Sequence, residues 1–280
     1  MSRRKRRKKH TGFKIFVVII ILLAVCLYDS NTRIVTNEYE VSTDRLPEAF
    51  FGCRVVQLSD LHAAYENKMD YLIGKVEKAK PDIIAITGDM IGEPEQLSYV
   101  EEIIPRLTPI AEVYYVTGNH EWASGVVHEM LAMLNDMGVH VLRNSYELLD
   151  KNGQEIIIAG IDDPNGPADM KKPPEVIERI REAEGDKYML LLVHRNDWLK
   201  KYSDLDVDCV LAGHAHGGII RLPFTDGLLD NEKNFLPTHT CGLYSENGTD
   251  MVVSRGLGRS REAFRLFNNP QIAVTILKSI

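Results

Sequence analysis

Five short polar motifs hold the residues of this 280-residue chain whose types and spacing could do chemistry. They are Asp60-Leu61-His62, Gly88-Asp89, Gly118-Asn119-His120-Glu121, His194 and Gly213-His214-Ala215-His216-Gly217-Gly218. Each closes an apolar run. Together they offer two Asp, one Asn and five His. That is the ligand inventory of a two-metal hydrolytic site, because imidazole and carboxylate suit Zn, Fe and Mn.

Taken singly, most of these motifs are ordinary. Asp60-x-His62 also reads as a turn carboxylate beside a surface His, and Gly88-Asp89 as common turn chemistry. Asn119-His120 can be a helix cap, and His194 a hydrogen-bonded core His. The sharpest motif is Gly213 to Gly218. Alternate His side chains in an extended segment share a face, and the flanking glycines let backbone approach a ligand. All five motifs in order, each at a strand exit, are what a single shared site requires.

The elements that must position them alternate. Arg54–Leu58 reads as a strand stopping at Ser59-Asp60. Met69–Lys80 has helical spacing, with Leu72, Ile73 and Val76 on one face and Pro81 after it. Asp82–Thr87 is a strand ending at Gly88-Asp89, Glu95–Leu107 a helix interrupted near Pro105, and Val113–Thr117 a strand ending at Gly118-Asn119. A helix over Val126–Met137 stops at Gly138. Glu147–Leu149 and Glu155–Ile161 form a hairpin turning at Asn152-Gly153. A helix over Pro174–Glu184 leads to strand Tyr188–Val193 and His194, and strand Val207–Leu211 leads to Gly213-His214. Three strands follow, near Thr238–Tyr244, Met251–Ser254 and Ile272–Leu277. Parallel β-α units followed by antiparallel strands imply two packed sheets flanked by helices, with polar motifs at strand exits where α/β folds place ligands.

Composition narrows the partners. Residues 1–28 carry eight Lys/Arg and no acid, and the remainder carries 25 Lys/Arg against 40 Asp/Glu, a formal net of −15. So acidic a body lacks the basic footprint of a nucleic-acid groove. It still admits a phosphate substrate, because bound metals dominate the local field. Cys26, Cys53, Cys209 and Cys241 are scattered without a CxxC pair, which argues against a Cys-based zinc site. Cys53 and Cys209 sit beside apolar runs and read as small core residues.

The N-terminus opens with seven consecutive basic residues, Arg3 to Lys9, and Ile15–Tyr28 is an unbroken apolar run. Counted from Phe13, with Lys14 snorkelling, the run reaches 16 residues, just short of the roughly 17 that a spanning helix needs. It also fits the apolar core of a cleaved signal peptide, but no small-x-small site follows it. An uncleaved signal anchor is the preferred reading, and the positive-inside rule then leaves residues 1–12 in the cytoplasm and the catalytic domain outside. The expected organisation is a basic tail over 1–12, a membrane anchor over 13–28, a linker with a first edge strand over 29–47, and the catalytic domain over 48–280.

The order and spacing of the five motifs resemble the calcineurin-like metallophosphoesterase superfamily, over about residues 51–280. Within it the chain is most similar to a bacterial membrane-associated group related to UDP-2,3-diacylglucosamine pyrophosphatases, through Val56-Gln57-Leu58-Ser59-Asp60-Leu61-His62, Gly160-Ile161-Asp162-Asp163-Pro164 and Ser254-Arg255-Gly256-Leu257-Gly258. The resemblance implies a four-layer α/β/β/α sandwich of two mixed sheets. It implies two divalent metal ions, Mn, Fe or Zn. Asp60, His62, Asp89 and His216 would hold the first; Asp89, Asn119, His194 and His214 the second; Asp89 bridges. His120 resembles a residue outside the ligand set that contacts the scissile phosphate; as the candidate catalytic residue it would protonate the leaving oxygen or hydrogen-bond to it. The implied reaction is in-line attack of a metal-bridging hydroxide on a phosphodiester, phosphomonoester or pyrophosphate. One departure is His194-Arg195-Asn196-Asp197, where relatives often carry Pro two residues after the His. The apolar loop Ile219–Pro237, with Phe224, Leu228, Leu229 and Phe235, and the anchor together favour an envelope or lipid-linked substrate. The alternatives are a catalytically silent metal-binding scaffold on the same fold, which predicts lost ligands, and a surface adhesin, for which no recognition surface is legible.

Overall fold

Strands that are apolar along their whole length must be covered on both faces, and two such sets of strands dominate this chain. A computed structural model describes residues 2–168, 170–221, 226–229, 234–259 and 264–280. Its first sheet comprises β1 (Val35–Ser42), β2 (Arg54–Leu58), β3 (Ile83–Thr87), β4 (Glu112–Val116), β5 (His140–Val141) and β12 (Gln271–Lys278), in the order β1-β12-β2-β3-β4-β5. The second comprises β6 (Ser145–Lys151), β7 (Gln154–Gly160), β8 (Met189–Leu192), β9 (Cys209–Ala212), β10 (Gly242–Glu246) and β11 (Thr249–Val253), in the order β10-β11-β9-β8-β7-β6. Both are mixed: β12 runs antiparallel to β2 in the first, and β6 and β10 run antiparallel to their neighbours in the second.

Alternation along the strands divides the core into three layers of contact. Val55, Ile83, Ala85, Tyr114 and Val116 point inward to meet Ile156, Ile158, Leu190, Leu192 and Leu211 between the sheets. Their neighbours Val56, Leu58, Ile84, Ile86 and Tyr115 point outward to α2 (Met69–Ala79), α3 (Leu97–Leu107) and α5 (Val127–Asp136). On the other side Ile157, Ala159, Met189, Leu191 and Val210 meet α6 (Pro173–Glu184) and α7 (Trp198–Tyr202). This is the expected four-layer α/β/β/α sandwich.

Three local readings change. The helix expected to break near Pro105 runs through it to Leu107. Pro105 removes the hydrogen bond its own N–H would make, and here it sits in the last turn. The polar stretch expected as a tether is short: α1 (Ser2–Thr32) extends through it and β1 begins at Val35. That strand does lie at the sheet edge, parallel to β12. A short helix, α4 (Asn119–Ser124), occupies the turn after β4. All four cysteines are free, and Cys53 and Cys209 are buried in the core.

Residues Gly12–Thr32 of α1 are long and apolar enough to cross a membrane, and none of the most apolar stretch is buried against the rest of the chain. A helix apolar on every side with no protein cover matches a bilayer span in character. Adding Gly12 and Asp29 to Thr32 to the run from Phe13 to Tyr28 brings the length to 21 residues, or about 31 Å at a rise of about 1.5 Å.

The contact between the sheets sets the stability of everything at their edges. Replacing Leu190 by Ala should cost about 2–5 kcal/mol by emptying a filled position in that layer, read as a lower urea midpoint; an unchanged midpoint would mean that the two sheets do not close on Leu190.

Candidate metal centre

The site lies where β2, β3, β4, β8 and β9 all end. Each contributes the residues immediately following it: Asp60 and His62, Asp89, Asn119 to Glu121, His194, and His214 and His216. The backbone there is unusual. Asp60, His62, Asp89, His214 and His216 take left-handed φ angles of 50°, 45°, 54°, 66° and 47°. Each such residue costs of order 1 kcal/mol or more in an L-amino acid. The left-handed turns replace the extended segment expected for the His-Ala-His motif, and its two rings reach opposite sides of the cluster.

On one side, His216 Nε2 lies 3.3 Å from Asp60 Oδ1 and 3.4 Å from His62 Nε2. On the other, His194 Nε2 lies 3.2 Å from Asp89 Oδ2, 3.1 Å from Asn119 Oδ1 and 3.2 Å from His214 Nδ1. Asp89 Oδ2 is also 3.7 Å from His62 Nε2. Donor atoms of Asp60, His62 and His216 lie within 4.8 Å of one another, as do those of Asp89, His194 and His214, and those of His62, Asp89 and His120. The structure therefore brings every expected site residue into one cluster.

The chemistry of this donor set fits divalent cations. His62 and His216 face each other through ring nitrogens that cannot both carry a proton across so short a gap. Burial pushes the pKa of His62 down to about 4, that of His214 down to about 2 with help from His194 and Arg195, and that of His216 well below normal. Neutral imidazole is the ligand form. Burial raises Asp60 to about 6, a carboxylate in want of positive charge. Asp89 and His194 supply charge to one another: burial opposes ionisation of both, but their pairing holds Asp89 well below the usual carboxylate range and lifts His194 to about 10. A cation bound at His194 would have to displace that proton.

A second set of residues holds the ligands in place. His194 Nδ1 donates to the Thr87 carbonyl at 2.8 Å, which aims Nε2 into the cluster. Ser59 Oγ donates to Asp60 Oδ2 at 2.6 Å. The backbone N–H of His120 donates to Asp89 Oδ1 at 2.9 Å. Gly118 packs so closely on Asp89 that a Cβ would overlap its carboxylate, and a Cβ on Gly213 would overlap Ser59 Oγ. The fully buried Glu121 accepts from the N–H groups of Asp89 at 2.9 Å, Met90 at 2.6 Å and Gly118 at 2.8 Å. Glu121 was visible in its motif but carried no assigned role. No spacing rule reveals that a carboxylate will serve as a backbone acceptor between two loops.

Arg195 is the other residue missed. Its Nε donates to Asp163 Oδ2 at 2.7 Å and its Nη1 to His214 Nε2 at 2.8 Å. The sequence signals were the departure after His194 and the Asp162-Asp163 pair, both of which are buried. Asp162 accepts from Thr117 Oγ1 at 2.8 Å and from Arg143 Nε at 3.1 Å. Among the described residues, cavities flank the cluster: one of about 720 Å³ beside His194 and Arg195, one of about 420 Å³ beside His214, and one of about 500 Å³ beside His62.

Comparison with known proteins agrees with this geometry. The profile described as calcineurin-like phosphoesterase matches residues 53–218. The chain is 30% identical over 251 residues to an uncharacterised metallophosphoesterase of Bacillus subtilis, YkuE, covering 87% of this chain and 85% of that one. It is 28% identical over 255 residues to the Danio rerio "transmembrane protein with metallophosphoesterase domain", covering 86% of this chain but 56% of the relative. Among solved structures, the Thermus thermophilus sulfate thiohydrolase SoxB shares the fold at a TM-score of 0.50 and 12% identity, over 83% of this chain and 57% of that one.

Removing the Glu121 carboxylate leaves its backbone donors buried and unpaired, at about 1–3 kcal/mol each. Glu121→Ala should therefore lower the thermal midpoint and loosen metal retention at least tenfold in dialysis against a chelator. An unchanged midpoint with unchanged retention would show that Glu121 does not hold the two loops.

Proposed function

This chain belongs to the calcineurin-like phosphoesterases, and on that premise we propose that it hydrolyses a phosphate ester at two divalent cations held by Asp60, His62, Asp89, Asn119, His194, His214 and His216. The observation that carries this reading is the meeting of two three-donor groups, Asp60-His62-His216 and Asp89-His194-His214, joined by the short approach of His62 to Asp89. Asp60, His62, Asp89 and His216 would hold one cation, and Asp89, Asn119, His194 and His214 the other. Such cations, when bound, polarise a phosphoryl oxygen and make hydroxide available near neutral pH. Mn, Fe and Zn all suit the donors.

The rest of the chemistry belongs to the chain. Asp89 is shared because its carboxylate lies at the centre, with one oxygen toward His62 and His194 and the other held by the His120 N–H. The His120 ring stands edge-on to His62, with 4.7 Å between centroids, and is partly exposed. It is a side chain able to reach a bound ester from outside the ligand set and to protonate its leaving oxygen. A silent scaffold would be free to lose ligands, and every one of the eight positions keeps its residue.

The natural substrate is proposed to be an envelope or lipid-linked phosphate compound. Phe235 and Leu236 in the 219–237 loop are exposed, which supports an apolar rim; Phe224 lies outside the described residues. Residues 13–28 would be a single-pass anchor, with the basic tail over 1–12 in the cytoplasm, the linker and edge strand over 29–47, and the catalytic domain over 48–280 on the far side.

Purified full-length protein should retain or take up two transition-metal ions per chain by elemental analysis, and hydrolyse bis-p-nitrophenyl phosphate. Asp89→Ala and His214→Ala should abolish turnover. His120→Ala should keep both metals yet lose about 10²–10⁴-fold in turnover on a poor leaving group. Absence of metal together with no metal-restored activity would end the proposal, and an unchanged rate would remove His120 from it.

Protease added to intact cells, or to spheroplasts where an outer layer exists, should digest the catalytic domain. Digestion only after lysis would place it inside, and a soluble form starting after Tyr28 would identify a cleaved signal.

A further inference from the structure

The end of the apolar helix is built into the mouth of the metal site. Asn31, in the last turn of α1, donates from Nδ2 to the Arg265 carbonyl at 2.8 Å and accepts at Oδ1 from the Arg265 N–H at 3.0 Å. Asn269 Nδ2 donates to the carbonyl and carboxylate of Asp29 at 2.9 and 3.0 Å. Two residues beyond the helix, Ile34 is buried in the same core layer as Val56 and Leu58. The link runs onward to a ligand. The buried Arg265 guanidinium donates to the carbonyls of Arg255 and Gly258 at 2.8 and 2.6 Å, and the Gly258 N–H donates to the Asp60 carbonyl at 2.6 Å.

Strand register fixes which edge of the sandwich the helix meets. Val35 pairs with Gln271, and Ala273 pairs with Gln57, so β1 starts beside the end of β2, where Asp60 and His62 follow. The helix therefore delivers its apolar segment to the edge that carries the metal site. A groove of about 500 Å³ lies between them, lined by Asn31 and Thr32 from the helix, His62 and Tyr65 from the site, and Leu257 and Arg259 from the facing loop. Tyr28, 71% exposed, is three residues from Asn31, or about 5 Å along the axis; Tyr is a residue of the membrane–water interface. Phe264 and Phe267 are exposed in the segment that binds Asn31 and Asp29.

We propose that the docked anchor holds the His62 side of the metal centre at lipid-headgroup level, and that the substrate is a membrane-resident amphiphile whose phosphate enters through this groove. The proposal rests on the phosphoesterase reading above and adds the substrate's location and its route. A charged phosphate need not leave the interface, because Arg259 and the metal ligand His62 both line the groove. Phe264 and Phe267 would lie in the outer acyl region beside it.

Two measurements on the full chain reconstituted in phosphatidylcholine vesicles test this. Phe267→Trp should be quenched by phosphatidylcholine brominated near the headgroup, above the signal of the unsubstituted chain. Phe51→Trp should not: Phe51 sits in the turn before β2, at the opposite end of that strand from Leu58, which alone runs about 13 Å at strand rise. Equal quenching at both positions, or none at Phe267, would overturn the orientation. In the same vesicles, hexadecyl p-nitrophenyl phosphate should turn over at least tenfold faster than its methyl analogue at equal bulk concentration. Equal rates, or a faster methyl ester, would overturn the membrane-resident substrate while leaving the phosphoesterase reading intact. No turnover of either ester with Mn supplied would remove that reading, and this proposal with it.

Discussion

A carboxylate fully enclosed by protein and surrounded by imidazoles is the constraint around which this molecule is arranged. Asp89 is 1% exposed, and an ionised group so placed is tolerated only with countercharge and hydrogen bonds. Both come from loops at the ends of other strands. His194 lies across the sheet interface, His62 arrives from β2, and the His120 N–H from α4. The two sheets must therefore meet in one register for the charge to be tolerable, and the apolar layer between them enforces that register. Strain in the ligand turns follows from the same demand. Left-handed turns at the ends of β2, β3 and β9 bring their ligands to the point that Asn119 and His194 reach from β4 and β8, and Glu121 and Ser59 secure the turns once made.

Much of this was legible in the residues. Apolar runs ending in Asp, Asn or His marked the five strand exits, because a doubly covered strand leaves an unbroken hydrophobic signal. The four-layer architecture followed from that signal together with the family resemblance. Local conformation was harder. His214 and His216 were read as alternating on an extended segment, yet the turns, not alternation, send their rings to opposite sides. Pro105 looked like a break because its cost in a helix interior is large, but the missing bond falls where the helix is ending anyway. Glu121 and Arg195 act through partners distant in sequence, Met90 and Asp163, which no local pattern encodes.

The apolar N-terminal helix shows the same division between local and distant information. Its apolar run counted from Phe13 stopped at Tyr28, just short of spanning length. The helix itself continues through Asp29, Ser30, Asn31 and Thr32, residues that look like a linker by composition. They stay helical because tertiary hydrogen bonds from Arg265 and Asn269 meet their polar groups. Composition records where the apolar run stops, whereas packing records the boundary of the helix.

The pairing of β1 with β12 has a consequence for how the chain is made. The last strand of the sequence sits second in its sheet, wedged between the first strand and β2. Until residues 271–278 emerge from the ribosome, Val35–Ser42 has no neighbour and one edge of Arg54–Leu58 stays open. Closure joins residues more than 200 positions apart, a slow event for reasons of loop entropy. An open strand edge is a template for unwanted pairing while it waits. If the apolar N-terminus is inserted in a bilayer, as proposed above, the chain passes that interval tethered to a surface, and its vulnerability during synthesis then depends on crowding in two dimensions rather than in solution.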